Sequence, residues 1–208
     1  NIKTTGGATG VFSTGGSITS SSGNNLKISA EGGGLGAYVK DSANVNLSGA
    51  DIDVKDGEAG VASYGVGSQL NLTGATLKYK GSGYAVYSDG NGKINLTSSK
   101  IELRGSSTLM ELDYSLPVSS RPINTTNTDV KVFSDKVVAI SNLGIKNITD
   151  LSGIKTKLGV NISAGTEGGK TFNKYKELAI DGGTINFNTA VDRAEADTSA
   201  GGFFFKKV

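Results

Sequence analysis

Val45-Asn46-Leu47-Ser48-Gly49, Leu70-Asn71-Leu72-Thr73-Gly74 and Ile94-Asn95-Leu96-Thr97-Ser98 are three copies of one short phrase, spaced 25 and 24 residues apart. Each alternates apolar with polar, the period of a strand with one buried face, and each ends where a small residue can turn sharply. A second alternating run follows every copy: Ile52-Asp53-Val54, Leu77-Lys78-Tyr79 and Ile101-Glu102-Leu103. A third run opens on glycine: Gly36-Ala37-Tyr38-Val39, Gly60-Val61-Ala62-Ser63 and Gly83-Tyr84-Ala85-Val86, read at steps of 24 and 23. An earlier copy shows in Gly10-Val11-Phe12-Ser13, Ile18 and Leu26-Lys27-Ile28, so the register holds over residues 10–107. Three short strands per repeat suit one coil of a right-handed, three-sided parallel β-helix of about 24 residues per coil. A single coil cannot bury its apolar face, whereas stacked coils share one core. Propeller blades need ~40–45 residues, and the calcium-binding nonapeptide solenoid needs an Asp where Tyr38 stands in Gly33-Gly34-Leu35-Gly36-Ala37-Tyr38.

Composition agrees. The chain has 208 residues, of which 31 are Gly, 24 Ser, 19 Thr and 16 Asn, against 2 Pro. So many turn formers with so little proline point to an all-β chain of short strands. With no Cys and no His there is no thiol nucleophile, no Ser-His-Asp triad, no haem and no zinc finger, and no cofactor is expected. A net charge of +2 disfavours an electrostatically driven nucleic-acid or lipid partner, and no apolar stretch approaches the ~20 residues of a membrane-spanning helix. Asn1 opens partway into a repeat and Phe203-Phe204-Phe205 closes on an apolar run. The chain therefore reads as one β-helical segment, 1–208, of something longer.

Residues 109–133 break the phrase. Pro117 and Pro122 fall here, followed by Asn124-Thr125-Thr126-Asn127-Thr128, and the expectation is a loop thrown out from the rod. Alternation resumes at Val137–Ile140, Leu143–Ile145 and Val160–Ile162, and Leu178–Phe187 suggests two strands around a corner. Asp150–Leu158 is expected to form a helical turn.

The coils with their Val-Asn-Leu-Ser-Gly phrases resemble the passenger β-helices of type V autotransporters. The stretch from Asp181-Gly182-Gly183-Thr184-Ile185-Asn186-Phe187 to Ala200-Gly201-Gly202-Phe203-Phe204-Phe205 is similar to large outer-membrane adhesins of the fusobacterial type. The resemblance implies an extracellular segment on a bacterial surface. Its parent would be held in the outer membrane by a C-terminal barrel that this sequence does not contain. Its partners would be host-cell surface proteins or glycans, or partner bacteria, and the resemblance transfers no functional residues.

In the glycine-led run, alternation turns Ala37/Val39, Val61/Ser63 and Tyr84/Val86 inward and Tyr38, Lys40, Tyr64 and Tyr87 outward. Stacking is expected to align Lys40, Tyr64 and Tyr87 in one outer column. Beside Tyr38 such a column could hold a sugar ring or a protein partner, or it could simply brace neighbouring strands. The acidic cluster Asp51, Asp53, Asp56 and Glu58 could share a hard cation, but Lys78 in the next coil is placed to neutralise it. A glycan-cleaving β-helix enzyme would need two carboxylates across a cleft, and neither Asp51 with Asp53 nor Glu102 with Glu111 recurs on a groove, so catalysis is not expected. Several Asn-x-Ser/Thr triplets occur, including those at Asn46, Asn71, Asn95, Asn147 and Asn161; the first three belong to the coil phrase, with the Asn facing out.

Overall fold

A computed structural model describes residues 1–21, 25–105, 107–110, 118–133, 138–141, 147–148, 160–171, 177–181, 186–187 and 204–207. The chain is a parallel β-solenoid of about five turns with some 25 residues per turn. Strands visit three sheets in strict rotation. The first face takes Ile2–Thr4, Lys27–Glu31, Asp51–Lys55, Thr76–Gly81, Lys100–Gly105, Thr128–Val132 and Val160–Ala164. The second takes Val11–Thr14, Ala37–Lys40, Ala59–Ser63, Tyr84–Ser88 and Thr108–Met110. The third takes Ser17–Thr19, Asn44–Ser48, Gln69–Thr73, Lys93–Thr97 and Ile123–Thr126.

Alternation does what the phrase predicts. Val45, Leu47, Leu70, Leu72, Ile94 and Leu96 point into the rod and are at most 1% exposed. Ile52, Val54, Leu77, Ile101 and Leu103 meet them from the first face. Because the strands of these three faces are parallel and in register, like stacks on like: Val45 on Leu70 on Ile94 on Ile123. Outside, the phrase's asparagines form an amide ladder. Asn71 Nδ2 donates to Asn46 Oδ1 at 2.6 Å, Asn95 to Asn71 at 2.7 Å, and Asn124 to Asn95 at 3.3 Å. The side-chain amides of Asn46, Asn71 and Asn95 are thus all engaged, each oxygen accepting from the next coil, Asn71 and Asn95 donating to the coil before and Asn46 donating to Asn44 in its own.

The corner between the third and first faces is as regular as the strands. Gly49, Gly74, Ser98 and Asn127 occupy it in successive coils with φ of 64°, 62°, 50° and 48°, a left-handed bend that glycine accepts freely and other residues resist. The next position is always small and buried: Ala50, Ala75, Ser99, Thr128. Where it carries a hydroxyl, the oxygen is spent on backbone carbonyls, Ser99 Oγ donating to Leu72 or Thr97 and Thr128 Oγ1 to Leu96 or Thr126.

The loop expected over 109–133 is corrected by these strands. Thr108–Met110, Ile123–Thr126 and Thr128–Val132 all belong to the rod, with Ile123 paired to Ile94 and Asp129 to Lys100. The polar run that reads as a loop serves the coil instead: Asn124 joins the amide ladder, Asn127 takes the left-handed corner and Thr128 fills the buried position behind it. Pro122 sits immediately before its strand, where its missing N–H breaks no ladder bond, and its carbonyl accepts from Ile94 N at 2.8 Å. Thr108 and Ile123 are 15 positions apart, where their partners Tyr84 and Ile94 are 10 apart, so the coil gains only five residues, between its second and third faces. Val118–Ser120 within that stretch is a short 3-10 turn. Farther along, Val138–Ser141, Glu177–Asp181 and Phe204–Lys207 form a parallel sheet, and Asn147–Ile148 pairs with Asn186–Phe187. The turn expected at Asp150–Leu158 lies outside the described residues.

The corner geometry gives a pair of opposite expectations. A Cβ on Gly74 would meet nothing within 4 Å, so Gly74→Ala tests backbone strain alone and should lower stability by about 1 kcal/mol. Ser98→Gly should raise it by up to about 1 kcal/mol. Urea unfolding followed by circular dichroism reads both, and equal signs for the two would refute the strain account.

Candidate functional site

The second face carries the chain's aromatic surface. Ladder register stacks Phe12 on Tyr38, Tyr38 on Ala62 and Ala62 on Tyr87. The expected column Lys40–Tyr64–Tyr87 is therefore corrected. Tyr87 belongs to the column of Tyr38, and Tyr64 lies just past its strand, its N–H donating to Val39 O at 2.9 Å. The cause is a two-residue slip in the fourth coil. Gly10, Gly36 and Gly60 form a true column in which added Cβ atoms would strike the next coil, but Gly60 is followed by Ala85, 25 residues on, and not by Gly83. Gly83 instead sits at the corner over Glu58, whose carbonyl a Cβ there would strike.

The rings nevertheless meet. Tyr64 swings over the gap that Ala62 leaves, so that Phe12, Tyr38, Tyr64, Tyr87 and Tyr84 form one continuous ribbon. Successive centroids are 5.3, 5.1, 5.4 and 5.4 Å apart, stacked at the Phe12 end, edge-on between Tyr38 and Tyr64, and tilted thereafter. Ala62, on the outer side of its strand, is fully buried at 0% exposure within this ribbon. Tyr84, expected to point inward with Val86, is half-buried, and its ring lies against Tyr87 because it stands at the strand's first position, where the corner lets it turn outward. Ring pairs of this kind contribute about 0.5–1.5 kcal/mol each when well packed, and less where solvent reaches them.

Beside the ribbon lies a groove of about 590 Å³, lined by Tyr38, Tyr64, Tyr84 and Tyr87 together with the exposed carboxylates of Asp56 and Glu58. Of the four outward residues expected at the site, Tyr38, Tyr64 and Tyr87 line this groove. Lys40 does not: its ammonium lies 5.8 Å from the Phe12 ring centroid and 3.6 Å from Asp41. Tyr84 is the ring that sequence reasoning missed, and Asp56 and Glu58, read there as part of an acidic cluster, were not set beside the rings. A step of 25 in place of 23 in the fourth coil sets Tyr84 over Ala59, next to Glu58, and would have found them.

The groove wall is held from inside the rod. Tyr79 is the largest fully buried side chain among the described residues, and its hydroxyl donates to Gly57 O at 2.6 Å and accepts from Gly83 N at 3.0 Å. Gly57 and Gly83 both line the groove, so one phenol pins two successive coils at its edge. Burial pushes the Tyr79 phenol up in pKa, with the neighbouring Asp56 and Glu58 charges adding to the rise. Tyr64 is also raised, first by burial, then by Tyr87 and Tyr38, and then by Glu58 and Asp89.

The acidic cluster divides. Asp51 pairs with Lys78 at 3.2 Å, as expected of a charge answered across the stack, while Asp56 and Glu58 turn to the groove. Glu102 is engaged by Arg104 at 3.4 Å, and Glu111 lies outside the described residues. Among the described residues no group of three or more carboxylates is placed to hold a metal ion. Comparison with known protein families, with curated proteins and with solved structures found no match for this chain.

Two measurements test this architecture. Tyr79→Phe removes the partner of the buried Gly57 carbonyl and of the half-buried Gly83 N–H, and should cost about 1–3 kcal/mol in urea unfolding while Tyr87→Phe costs far less. Asp89 clamps two turns: Oδ1 accepts from Asn91 N and Gly92 N, and Oδ2 from Gly65 N in the coil below, each at 2.9 Å. Burial works to raise its pKa, but those three backbone donors outweigh it and hold the carboxyl below its ordinary value. A lowered folded-state pKa stabilises above the ordinary aspartate range of about 4 and is lost as pH falls through it. Asp89→Ala should therefore be less stable than wild type at pH 7, and the difference should shrink steadily below about pH 4.

Proposed function

We propose that this chain is a rod segment of an adhesin of the autotransporter-passenger kind, displayed outside a bacterial cell and binding a surface protein or glycan on a host cell or partner bacterium through the aromatic ribbon of its second face. The observation that carries the reading is the run of five rings along four successive coils, open on one side to a groove. Tyrosine offers an apolar face and a hydroxyl on a side chain with few rotamers to freeze, which suits it to recognition. A solenoid adds a rigid, repeating support for it. An alternative is favoured by one feature of the same ribbon. The rings pack on each other and enclose Ala62, as they would in a plain stalk whose binding tip lies elsewhere in a longer parent.

The two readings part on a binding experiment. The purified chain is applied to a panel of host cells, bacteria and immobilised glycans beside a Tyr64→Ala/Tyr87→Ala variant whose circular dichroism matches wild type. The adhesin reading expects saturable attachment that weakens at least about tenfold in the variant. Absence of attachment by the folded wild-type chain, or attachment untouched by the variant, would leave the stalk.

A further inference from the structure

The described residues use one recurring arrangement: a cation set over a ring and answered by a carboxylate. At one end of the rod Lys40 lies over Phe12 beside Asp41, which also accepts a 2.8 Å bond from Thr14 Oγ1. Toward the other end the Arg104 guanidinium lies 4.1 Å from the Phe133 ring centroid, 2.7 Å from Glu167 and 3.4 Å from Glu102. The groove of the second face supplies the same two parts without the third. The rings of Tyr64 and Tyr87 stand beside the carboxylates of Asp56 and Glu58, and among the described residues no lysine or arginine lines the groove and none forms an ion pair with either carboxylate.

The geometry points to a cationic side chain, carried on an extended basic segment of a partner protein, as the missing third part. This inference rests on the adhesive reading above and names its ligand class. A ring face attracts a cation through its quadrupole, and a carboxylate at the rim supplies the charge-assisted bond. Both Lys and Arg can satisfy the arrangement, Arg with the added stacking of a planar group. The ribbon's length suits an extended strand. From Phe12 to Tyr87 it crosses four coils, roughly 15 Å at the usual strand spacing, which an extended peptide covers in about five residues. Alternate side chains of such a peptide face the same way, so basic residues at every second position all meet the rings. The Asp56 and Glu58 carboxylates on the groove have the right sign to draw them in.

The test uses three labelled nine-residue peptides in which Ser alternates with Arg, Lys or citrulline; citrulline keeps the shape of arginine and removes its charge. Fluorescence anisotropy with the whole chain should show binding of the Arg and Lys peptides, at least roughly tenfold weaker binding of the citrulline peptide, and weakening with added salt. Asp56→Asn/Glu58→Gln should lose roughly tenfold in affinity for the charged peptides. The fold should survive this change, since both carboxylates are exposed and asparagine tolerates the left-handed backbone (φ 60°) at position 56. Equal binding of the citrulline peptide, no binding of the charged peptides, or indifference to the double substitution overturns the inference. Running the same variant in the cell and glycan panel separates the two readings. Attachment kept by Asp56→Asn/Glu58→Gln but lost by Tyr64→Ala/Tyr87→Ala keeps the adhesin and removes the basic ligand in favour of a neutral one, such as a glycan. Attachment by neither wild type nor variants removes both.

Discussion

Everything in this molecule depends on one coil lying in register on the next. A parallel ladder repeats every residue type vertically, so a choice made once in the repeat is made in every coil. Leu47 lies on Leu72 and Leu96, Asn46 on Asn71 and Asn95, and the left-handed corner at Gly49 on those at Gly74 and Ser98. An apolar residue thereby becomes a core, an asparagine a hydrogen-bonded ladder and a glycine a column of corners. The same rule is severe with errors, because a side chain that does not suit its column is wrong against both neighbours. Ser63 shows how little slack exists: fully buried between Val39 and Ser88 in the inward column, its hydroxyl has no hydrogen-bond partner among the described residues.

The inside and outside of the rod are coupled through Tyr79. Its ring fills the core where neighbouring coils place Val54 and Leu103, and its hydroxyl reaches the backbone at the groove's edge. The groove thus owes its shape to a residue no ligand could touch. Its chemistry belongs to the exposed positions, and its rigidity to the buried one. Asp89 does a similar service from the surface, tying its own turn to Gly65 one coil away.

Much of this could be read before any coordinates. Strict alternation in Val45–Ser48 and its copies predicts the buried faces, and the steps of 24 and 25 predict the stacking. The outward direction of Tyr38, Tyr64 and Tyr87 follows from the same alternation. Two things escaped. Asn124-Thr125-Thr126-Asn127-Thr128 looks like a loop because polar turn formers are judged by type, whereas in a solenoid they are judged by column, and each of Asn124, Asn127 and Thr128 is the right residue for its place. The fourth coil's glycine was matched to the wrong partner because Gly83 resembles Gly60 in sequence while the ladder aligns Gly60 with Ala85. That slip hid Tyr84 and the nearness of Asp56 and Glu58 to the rings. Which rings touch depends on side chains leaning across columns, as Tyr64 does over Ala62, and strand periodicity carries no information about leaning.

The direction of the hydrogen bonds has a mechanical meaning. In most sheets the bonds run across the long axis of the structure; here they run along it, from coil to coil. A pull on the ends loads each coil interface as a whole, with the ladders of three faces and the asparagine amides sharing the force, while successive interfaces stand in series. Failure of one interface releases a single coil, and about 24 residues drawn out straight span ~80 Å where they had occupied ~4.8 Å of rod. The rod is stiff until an interface gives way. It then lengthens by a large fixed step, dissipating work at each one, and the coils beyond the break keep their shape.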